Sequence, residues 1–250
     1  MSLGLGHGRK LDPAEGTVGI APAELPPLPD DLLTNPGAAR LDPRAWFPDP
    51  ARPLEIEIGP GKGAFLLEHG ARCPEINLLG VEWAGEVYAY AADRVRRRCA
   101  ADGSLAAVRV LRADATEFLR WRVPDAVVRT IHLYFSDPWP KTKHHKNRVV
   151  QHAFLREAWR VLEPAGELRV VTDHDQLWAW DRAHFDAWTR PLADTPSAPA
   201  ERADLPDPPF EEIAFERPVW AVEGELLGTN YERKFRKDAG PHATTLRKLA

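Results

Sequence analysis

Apolar runs alternate with amphipathic stretches along residues 54–172, and this alternation predicts strands and helices in turn. Strands are expected at Leu54–Ile58, Asn77–Glu82, Ala107–Arg112, a segment from Val127 that stops near Asp137, and Glu167–Thr172. Helices are expected at about Ala64–Ala71, across residues 87–99 before Gly103, and at about Asn147–Leu162. Strand–helix alternation at this spacing is typical of an α/β protein with a doubly wound, mostly parallel sheet.

The rest of the chain adds an edge, an extension and an insertion. Two β-rich pieces, Phe210–Phe215 and Glu225–Phe235, are expected to form an antiparallel C-terminal edge, which gives a sheet of seven strands. Residues 1–50 are rich in proline and poor in periodic apolar positions, so they predict a mobile N-terminal extension. Residues 51–250 then form the main domain, and residues 191–209 form a surface insertion within it.

Composition narrows the class of protein. The chain has 250 residues, of which 44% are hydrophobic and 28% are charged, as in an ordinary soluble globular protein. No apolar run approaches the roughly 20 residues of a membrane helix, and no secretory h-region is present, so a cytoplasmic protein is expected. Two cysteines outside any CxxC pattern suit a reducing compartment. The net charge of −4 argues against a nucleic-acid partner unless a local basic patch overrides it.

A glycine-rich turn joins the first strand to the first helix. The segment Gly59–Gly63 reads GPGKG, and its glycines, Gly59, Gly61 and Gly63, would let a ligand approach the backbone closely. Together with Ala64, the same segment fits the dinucleotide pattern GxGxxA. The turn alone therefore predicts a nucleotide-type ligand without identifying it.

Three acidic residues lie at the ends of the first three strands. Glu57 precedes the turn by two residues and suits a cationic group, such as the amino group of a methionine moiety. Glu82 ends the second strand, where an acid binds a pair of ribose hydroxyls, and Asp114 could accept from an adenine amino group. Glu82 would serve NAD equally well, but the three acids together favour S-adenosylmethionine.

The densest chemistry follows the fourth strand. Leu133–Lys141 reads LYFSDPWPK, and the prolines flanking Trp139 cannot donate ladder hydrogen bonds, so the strand must stop near Asp137. Asp137 is thereby expected at a carboxyl strand end, where ligands bind in open α/β sheets. Asp173 ends the fifth strand and should flank the same cleft, although it could instead cap a helix that starts at His174.

A basic segment follows at once, with four fixed cations, two histidines and no acid. The cations are Lys141, Lys143, Lys146 and Arg148. Their place beside the predicted site favours contact with RNA phosphates over a solvated face. His144 and His145 have no nearby cysteine or acidic ligand pattern, so no metal site is expected. Near the C-terminus, residues 228–235 combine polar and aromatic groups with further cations, which suits either a substrate contact or a charge-protected edge strand.

These motifs together resemble the tRNA (guanine-N7-)-methyltransferase family. The resemblance rests on ExGxGKG, the GVE strand end, FSDPWPK with its HHKxR continuation, VTD and TNYERKF, and it covers about residues 54–190 and 228–235. It implies a Rossmann-like, class I methyltransferase fold, with S-adenosylmethionine as methyl donor. The implied target is N7 of the variable-loop guanosine at position 46 of tRNA. The proline-rich N-terminus and the insertion after Arg190 are not features of that family.

The resemblance also implies residue roles. Glu57, Glu82, Asp114 and Asp137 would contact the donor together with the glycines of the turn, and Asp137 would be catalytic. The implied substrate contacts are Lys141, Asp173, Thr229, Asn230, Tyr231 and Glu232. The implied partner is tRNA. The protein is expected to be a monomer or a homodimer, and neither a membrane nor a metal ion is expected to take part.

Three other functions remain open at this point. The first is a class I methyltransferase that acts on another RNA, a protein or a small molecule, which predicts donor binding without salt-sensitive tRNA binding. The second is a non-catalytic tRNA-binding protein, which predicts lost donor acids, whereas Glu57, Glu82 and Asp114 are present. The third is an NAD dehydrogenase, for which nothing after the fourth strand supplies a hydride-transfer site.

Overall fold

The structure is a computed structural model that describes residues 4–6, 8–195, 197–229, 232 and 240–249. By internal contacts it divides into two compact units, Met1–Val127 and Val128–Ala250. Within the described ranges, no helix has both the length and the apolar composition needed to cross a bilayer. Each unit is built around its own set of strands.

The described residues of the first unit form four parallel strands. They are β1 (Gly19–Ile20), β2 (Leu54–Ile58), β3 (Asn77–Glu82) and β4 (Val108–Arg112), in the spatial order β1-β4-β3-β2. The helices are α1 (Ala64–Arg72), α2 (Gly85–Asp102) and α3 (Ala115–Trp121). Every residue of β2 and β3 is buried, as expected for inner strands of a parallel sheet. The end of α2 matches the prediction, because Gly103 takes a left-handed φ of 72°.

In the second unit, the described residues form one parallel pair and two antiparallel strands. The strands β5 (Val128–Tyr134), β6 (Leu162–Thr172), β7 (Phe210–Ile213) and β8 (His242–Lys248) lie in the order β5-β6-β8-β7. The helices are α4 (His152–Val161) and α5 (Asp175–Thr189). The predicted fold class, α/β with mostly parallel strands and an antiparallel C-terminal edge, is confirmed. The described residues contain eight strands instead of the predicted seven.

The connection between β5 and α4 differs from its prediction. Strand β5 ends at Tyr134 and α4 begins at His152, whereas the sequence predicted Asp137 and Asn147 for these boundaries. A 3-10 helix occupies Thr142–Asn147. The Gln151 side-chain amide then donates to the backbone carbonyls of His145 (3.0 Å) and Arg148 (3.2 Å). These bonds replace the α-helical ladder here, and they leave a long irregular segment between strand and helix.

The second edge strand was predicted in the wrong place. It was expected at Glu225–Phe235, but β8 lies at His242–Lys248. The described part of residues 225–235 forms no strand. Two features prevent a strand there. Gly228 has a left-handed φ of 66°, and the buried Glu232 carboxylate accepts from the amides of Leu226, Leu227 and Gly228, which a sheet ladder would otherwise use.

The N-terminal segment contributes a strand that the sequence analysis did not predict. Gly19 and Ile20 of β1 pair in parallel with Val110 and Leu111 of β4. The adjoining side chain of Val18 is buried against the core of the first unit. A two-residue strand carries too little hydrophobic periodicity to be recognised in a proline-rich sequence, so the pattern gave no signal for it.

The core of the first unit allows a direct test of its packing. Leu78 on β3 is 0% exposed, so Leu78→Ala should lower the free energy of unfolding by about 2–5 kcal/mol through lost burial and a residual cavity. Leu33→Ala is the matched control, because Leu33 is 84% exposed and should change the stability by less than about 0.5 kcal/mol. Chemical denaturation of both variants provides the measurement. Equal effects would contradict this placement of the core.

Candidate active site

Three predicted acidic residues lie along one edge of the first unit. Glu57 is on β2 opposite Gly80 of β3, and Glu82 is the last residue of β3. Asp114 follows β4, whose Arg112 is the register partner of Glu82. Because all of these strands are parallel, their carboxyl ends meet at the same edge of the sheet. The structure therefore brings together the three acids that the sequence analysis grouped.

The glycine-rich turn lies beside these acids with an unusual backbone. Gly59 and Gly61 have φ values of 67° and 56°, a left-handed conformation that side chains rarely adopt. A Cβ atom built on Gly59 would meet no described heavy atom within 4 Å, so this face of the turn is open. The Gly61 amide donates to Glu82 Oε2 (3.2 Å), which ties the turn to the end of β3. An open turn with exposed backbone can admit a ligand closely.

Arg94 supports the same turn from α2. Its guanidinium donates to the backbone carbonyl of Lys62, within the turn. Arg96 and Arg97 on the same helix also donate hydrogen bonds, to the buried carboxylate of Asp93. These arginines of α2 are therefore partly structural.

Glu57 is the most unusual acid of the group. Its side chain is 4% exposed, and no described group donates a hydrogen bond to its buried Oε2. Burial raises the pKa of Glu57 to about 8, and the nearby Glu82 charge adds to this rise. A buried carboxyl oxygen without a partner is costly, and a cationic ligand group placed against it would remove that cost.

Glu82 and Asp114 are already engaged by backbone amides. The Glu82 carboxylate is 5% exposed, and besides the Gly61 amide it accepts from the Ala84 amide (2.9 Å) through Oε1. Asp114 is exposed and caps α3, with its Oδ1 accepting from Thr116 N (2.9 Å), Thr116 Oγ1 (2.7 Å) and Glu117 N (3.1 Å). These bonds fix both carboxylates in orientation. All three bonds to Asp114 fall on one oxygen.

One aromatic residue at this edge was missed by the sequence analysis. Trp83 directly follows Glu82 and leaves 71% of its surface exposed, although large apolar side chains are usually buried. Its position in the sequence, between the acidic end of β3 and the start of α2, was the signal that could have identified it as a candidate site residue.

Asp137 lies in the second unit on a strained loop. It is exposed, and it follows the end of β5 by three residues. Phe135 and Trp139 on either side have left-handed φ values of 53° and 43°, conformations that cost non-glycine residues about 1–3 kcal/mol each. The Phe135 amide donates to Val171 O of β6 (2.7 Å). Such strain persists only where surrounding contacts hold it, and it is typical of functional loops.

The basic segment divides into two parts. Lys141, Lys143 and Lys146 are exposed, as a phosphate contact requires. Arg148 is only 3% exposed, and its Nε donates to Pro138 O (2.9 Å). The prediction that Arg148 contacts the RNA backbone is therefore corrected: its guanidinium is used inside the second unit, and three of the four cations remain available to a polyanion.

The remaining predicted residues have mixed placements. Asp173 is exposed directly after β6, and the cap of α5 is His174, whose Nδ1 accepts from Leu177 N (3.3 Å), so the alternative interpretation of Asp173 as the cap is wrong. Thr229 and Glu232 are both buried, and Glu232 N donates to Thr229 Oγ1 (3.3 Å). Two other predicted substrate contacts lie outside the described residues. They are Asn230 and Tyr231.

Comparison with known proteins identifies one matching family and close relatives within it. The family described as "Putative methyltransferase" matches residues 51–202. Two curated proteins, the tRNA (guanine-N(7)-)-methyltransferases of Streptococcus pyogenes serotypes M6 and M5, are each 35% identical over 137 residues. The matched region is 55% of this chain and 62% of each relative. The chain thus spans less than two thirds of the length of the relatives that it matches.

A solved structure supports the fold independently. The aminoglycoside resistance methyltransferase NpmB1 matches with a TM-score of 0.52 and 17% identity, covering 89% of this chain and 95% of NpmB1. Identity this low shows the fold alone. It agrees with the doubly wound α/β fold predicted from the strand–helix alternation, and with the Rossmann-like methyltransferase fold that the family resemblance implied.

The pKa of Glu57 predicts how stability depends on pH. Between about pH 4.5, the ordinary value for glutamate, and about pH 8, the folded protein binds a proton at Glu57 that the unfolded chain has lost. The free energy of unfolding should therefore fall as pH rises through this window, by at most about 1.4 kcal/mol per pH unit from this one group. Glu57→Gln should lack this contribution, so its stability relative to wild type should increase from pH 5 to pH 8.

Denaturant titrations at several pH values test this expectation. Glu75→Gln, at an exposed glutamate of the same unit, is the matched control and should keep the wild-type pH dependence. A Glu57→Gln variant with the wild-type pH dependence would show that Glu57 is ionised in the folded protein throughout this range.

Proposed function

The chain belongs to the "Putative methyltransferase" family, and we propose that it transfers a methyl group from S-adenosylmethionine to N7 of the variable-loop guanosine of tRNA, position 46. The observation that carries the proposal is the exposed carboxylate of Asp137 on a strained loop that leads directly into three exposed lysines. The names of the Streptococcus relatives support the choice of tRNA as substrate.

The acidic edge of the first unit fits the donor. S-adenosylmethionine supplies a methyl group on a sulfonium, together with an amino acid moiety, a ribose and an adenine. The α-amino group would satisfy Glu57, whose buried Oε2 has no partner among the described residues. Glu82 would accept from the ribose hydroxyls, and Asp114 from the adenine amino group. The exposed indole of Trp83 offers a face on which the adenine can stack.

The open glycine turn has a separate role in this scheme. Gly59 and Gly61 would allow the amino acid moiety of the donor to approach the backbone, since a Cβ atom on either would meet no side chain within 4 Å. Gly63 is buried, and a Cβ atom there would lie 3.3 Å from Ala91 Cβ, so its proposed donor role is limited to letting the turn pack closely on α2. Arg94 would keep the turn in place through its bond to Lys62 O. The turn would thus be preformed for the donor, which could bind with little rearrangement of the chain.

The chemistry needs alignment more than proton transfer. Guanine N7 carries a lone pair and no proton, so it can attack the sulfonium methyl in line without a general base. Positive charge develops on the purine as the new bond forms. A carboxylate at Asp137 that accepts from the guanine N1–H and 2-amino group would stabilise this charge. These protons become more acidic as N7 is alkylated, so the interaction strengthens toward the transition state, which is what accelerates a reaction.

Substrate contact is proposed for the exposed residues of the second unit. Lys141 would lie nearest the target base, and Lys143 and Lys146 would contact phosphates. Asp173, exposed at the end of β6, would contact the guanosine. Glu232 already binds three backbone amides and Thr229 accepts from Glu232 N, so we assign this pair to shaping residues 226–229. Asn230 and Tyr231 keep their proposed substrate role from the family resemblance.

A single assay tests the proposed reaction. The protein is incubated with labelled S-adenosylmethionine and an unmodified tRNA transcript, and the modified base is then mapped. We expect N7-methylguanosine in the variable loop. Label at another base, or on protein or small molecules only, would assign the chain to a different methyltransferase activity.

The catalytic role of Asp137 has its own prediction. Asp137→Asn should lower kcat by about 100- to 1,000-fold, because the neutral amide no longer stabilises the developing positive charge. Its affinity for tRNA and its thermal stability should stay close to wild type, since Asp137 is exposed. Asp194→Asn, at an exposed position in the 191–209 insertion, is the control. Wild-type turnover in Asp137→Asn would remove this residue from catalysis.

The exposed lysines predict the salt dependence of tRNA binding. Each phosphate contact releases counterions, so Lys143→Ala combined with Lys146→Ala should reduce the slope of log affinity against log salt by about 0.7–0.9 per contact. Donor binding should be unchanged. Arg72→Ala combined with Arg98→Ala is the control, because these arginines are similarly exposed but lie on α1 and α2 of the first unit. Filter binding across a salt series gives the slopes, and an unaltered slope in the lysine variant would exclude this segment from the RNA contact.

A further inference from the structure

The loop that carries Asp137 has few backbone restraints of its own. Residues 135–140 belong to no helix or strand, and the following 3-10 helix, Thr142–Asn147, is short. Left-handed backbone at Phe135 and Trp139 makes this conformation costly in isolation. The loop must therefore be held by contacts from elsewhere in the second unit.

Arg148 supplies such a contact. Its guanidinium is almost completely buried, and its Nε donates to the carbonyl oxygen of Pro138, the residue next to Asp137. A charge-assisted hydrogen bond from a buried arginine is among the stronger polar contacts available to a protein. Arg148 is the last cation of the basic segment. Its bond therefore ties the end of this segment to the loop that precedes it.

Helix α5 fixes Arg148 in turn. The guanidinium lies over the ring of Trp180, 5.2 Å from its centroid, and Trp180 Nε1 donates to Val150 O (2.7 Å). The His145 ring packs edge-on against the same indole at 5.4 Å. Trp180 thus contacts both the 3-10 helix and the arginine that closes it, and its own orientation is set by a hydrogen bond.

Helix α5 also carries a buried acid whose pKa is affected by the charge of Arg148. Asp181 is 1% exposed, and its Oδ1 has no hydrogen-bond partner among the described residues. Burial raises the pKa of Asp181 to about 7, and the Arg148 charge opposes this rise. Arg148 and Asp181 are both buried, and the charge of one acts on the other, so the guanidinium is positioned within the interior of the unit and away from an RNA phosphate.

We propose that Arg148 is a positioning residue for catalysis, which holds the Asp137 loop through Pro138 O while Trp180 supports its guanidinium. This inference rests on the proposed function, and it assigns the basic segment two separate tasks. The exposed lysines bind substrate, and the buried arginine sets the geometry of the catalytic carboxylate. Small displacements of a catalytic group lower turnover strongly, so loss of this contact should appear in kcat.

The test compares Arg148→Lys with wild type in steady-state and binding assays. Lysine keeps the charge but loses the planar guanidinium that both covers Trp180 and directs Nε–H to Pro138 O. We expect kcat to fall roughly 10- to 100-fold. The KM for tRNA, the donor affinity and the salt slope of tRNA binding should stay at wild-type values. Arg190→Lys, whose side chain is 60% exposed at the end of α5, is the matched control and should not change kcat.

A double-mutant cycle identifies the residue through which Arg148 acts. In the Asp137→Asn background, Arg148→Lys should cost almost nothing further, because the carboxylate that it positions is already gone. Trp180→Leu should lower kcat as Arg148→Lys does, and the two changes together should be clearly less than multiplicative. Multiplicative losses with Asp137→Asn, or a flattened salt slope in Arg148→Lys, would overturn the proposal, the latter in favour of a phosphate contact.

Hydrogen exchange separates this inference from the proposed reaction. Amides of residues 137–147 should exchange faster in Arg148→Lys, with peptides of the first unit unchanged. If wild type methylates no tRNA, the proposed function fails, and the exchange measurement still decides whether Arg148 holds the loop. Unchanged exchange in this segment would overturn the positioning role whatever the substrate proves to be.

Discussion

Parallel strand pairing is the constraint on which the chemistry of both units depends. Within each unit it places the carboxyl ends of the parallel strands at one edge, where the backbone leaves the sheet and side chains are free to meet a ligand. In the first unit this edge collects Glu57, Glu82 and Asp114 from three neighbouring strands. In the second unit the parallel pair β5 and β6 leads to Asp137 and Asp173. Within each unit, acids that are far apart in the sequence are thereby placed on adjacent strands.

Burial separates acids that look alike in the sequence. Glu57 lies inside the first unit with a raised pKa, whereas Asp137 is exposed to solvent on its loop. A buried carboxyl group that lacks a partner is suited to bind a cation that arrives with its own charge. An exposed carboxylate is accessible to a base and can accept hydrogen bonds from it directly. The two positions therefore suit binding and catalysis respectively.

How well each helix, strand or loop could be predicted from the sequence depended on the interactions that stabilise it. Strands β2 and β3 were predicted to the residue, because strands buried on both faces need continuous apolar runs that the sequence displays directly. The segment between β5 and α4 was predicted poorly, because side-chain bonds from Gln151 and Arg148 determine its course. Arg148 itself was indistinguishable from the nearby lysines, since its burial depends on Trp180 of a later helix. Strand β8 was missed for a similar reason: its antiparallel partners, β6 and β7, lie far from it in the sequence.

The left-handed residues beside Asp137 also bear on how this protein can be engineered or can evolve. Phe135 and Trp139 store conformational energy that glycine would release, so glycine at either position would relieve the native strain while making the loop more pliable. Selection for thermal stability alone could favour such changes, and it would then act against the geometry of the carboxylate. With Asp137 as the proposed catalytic residue, a trade-off between stability and turnover would thus lie within five residues of the chain, from Phe135 to Trp139. Stabilising substitutions elsewhere in the chain, such as at exposed positions of residues 191–209, would avoid this conflict.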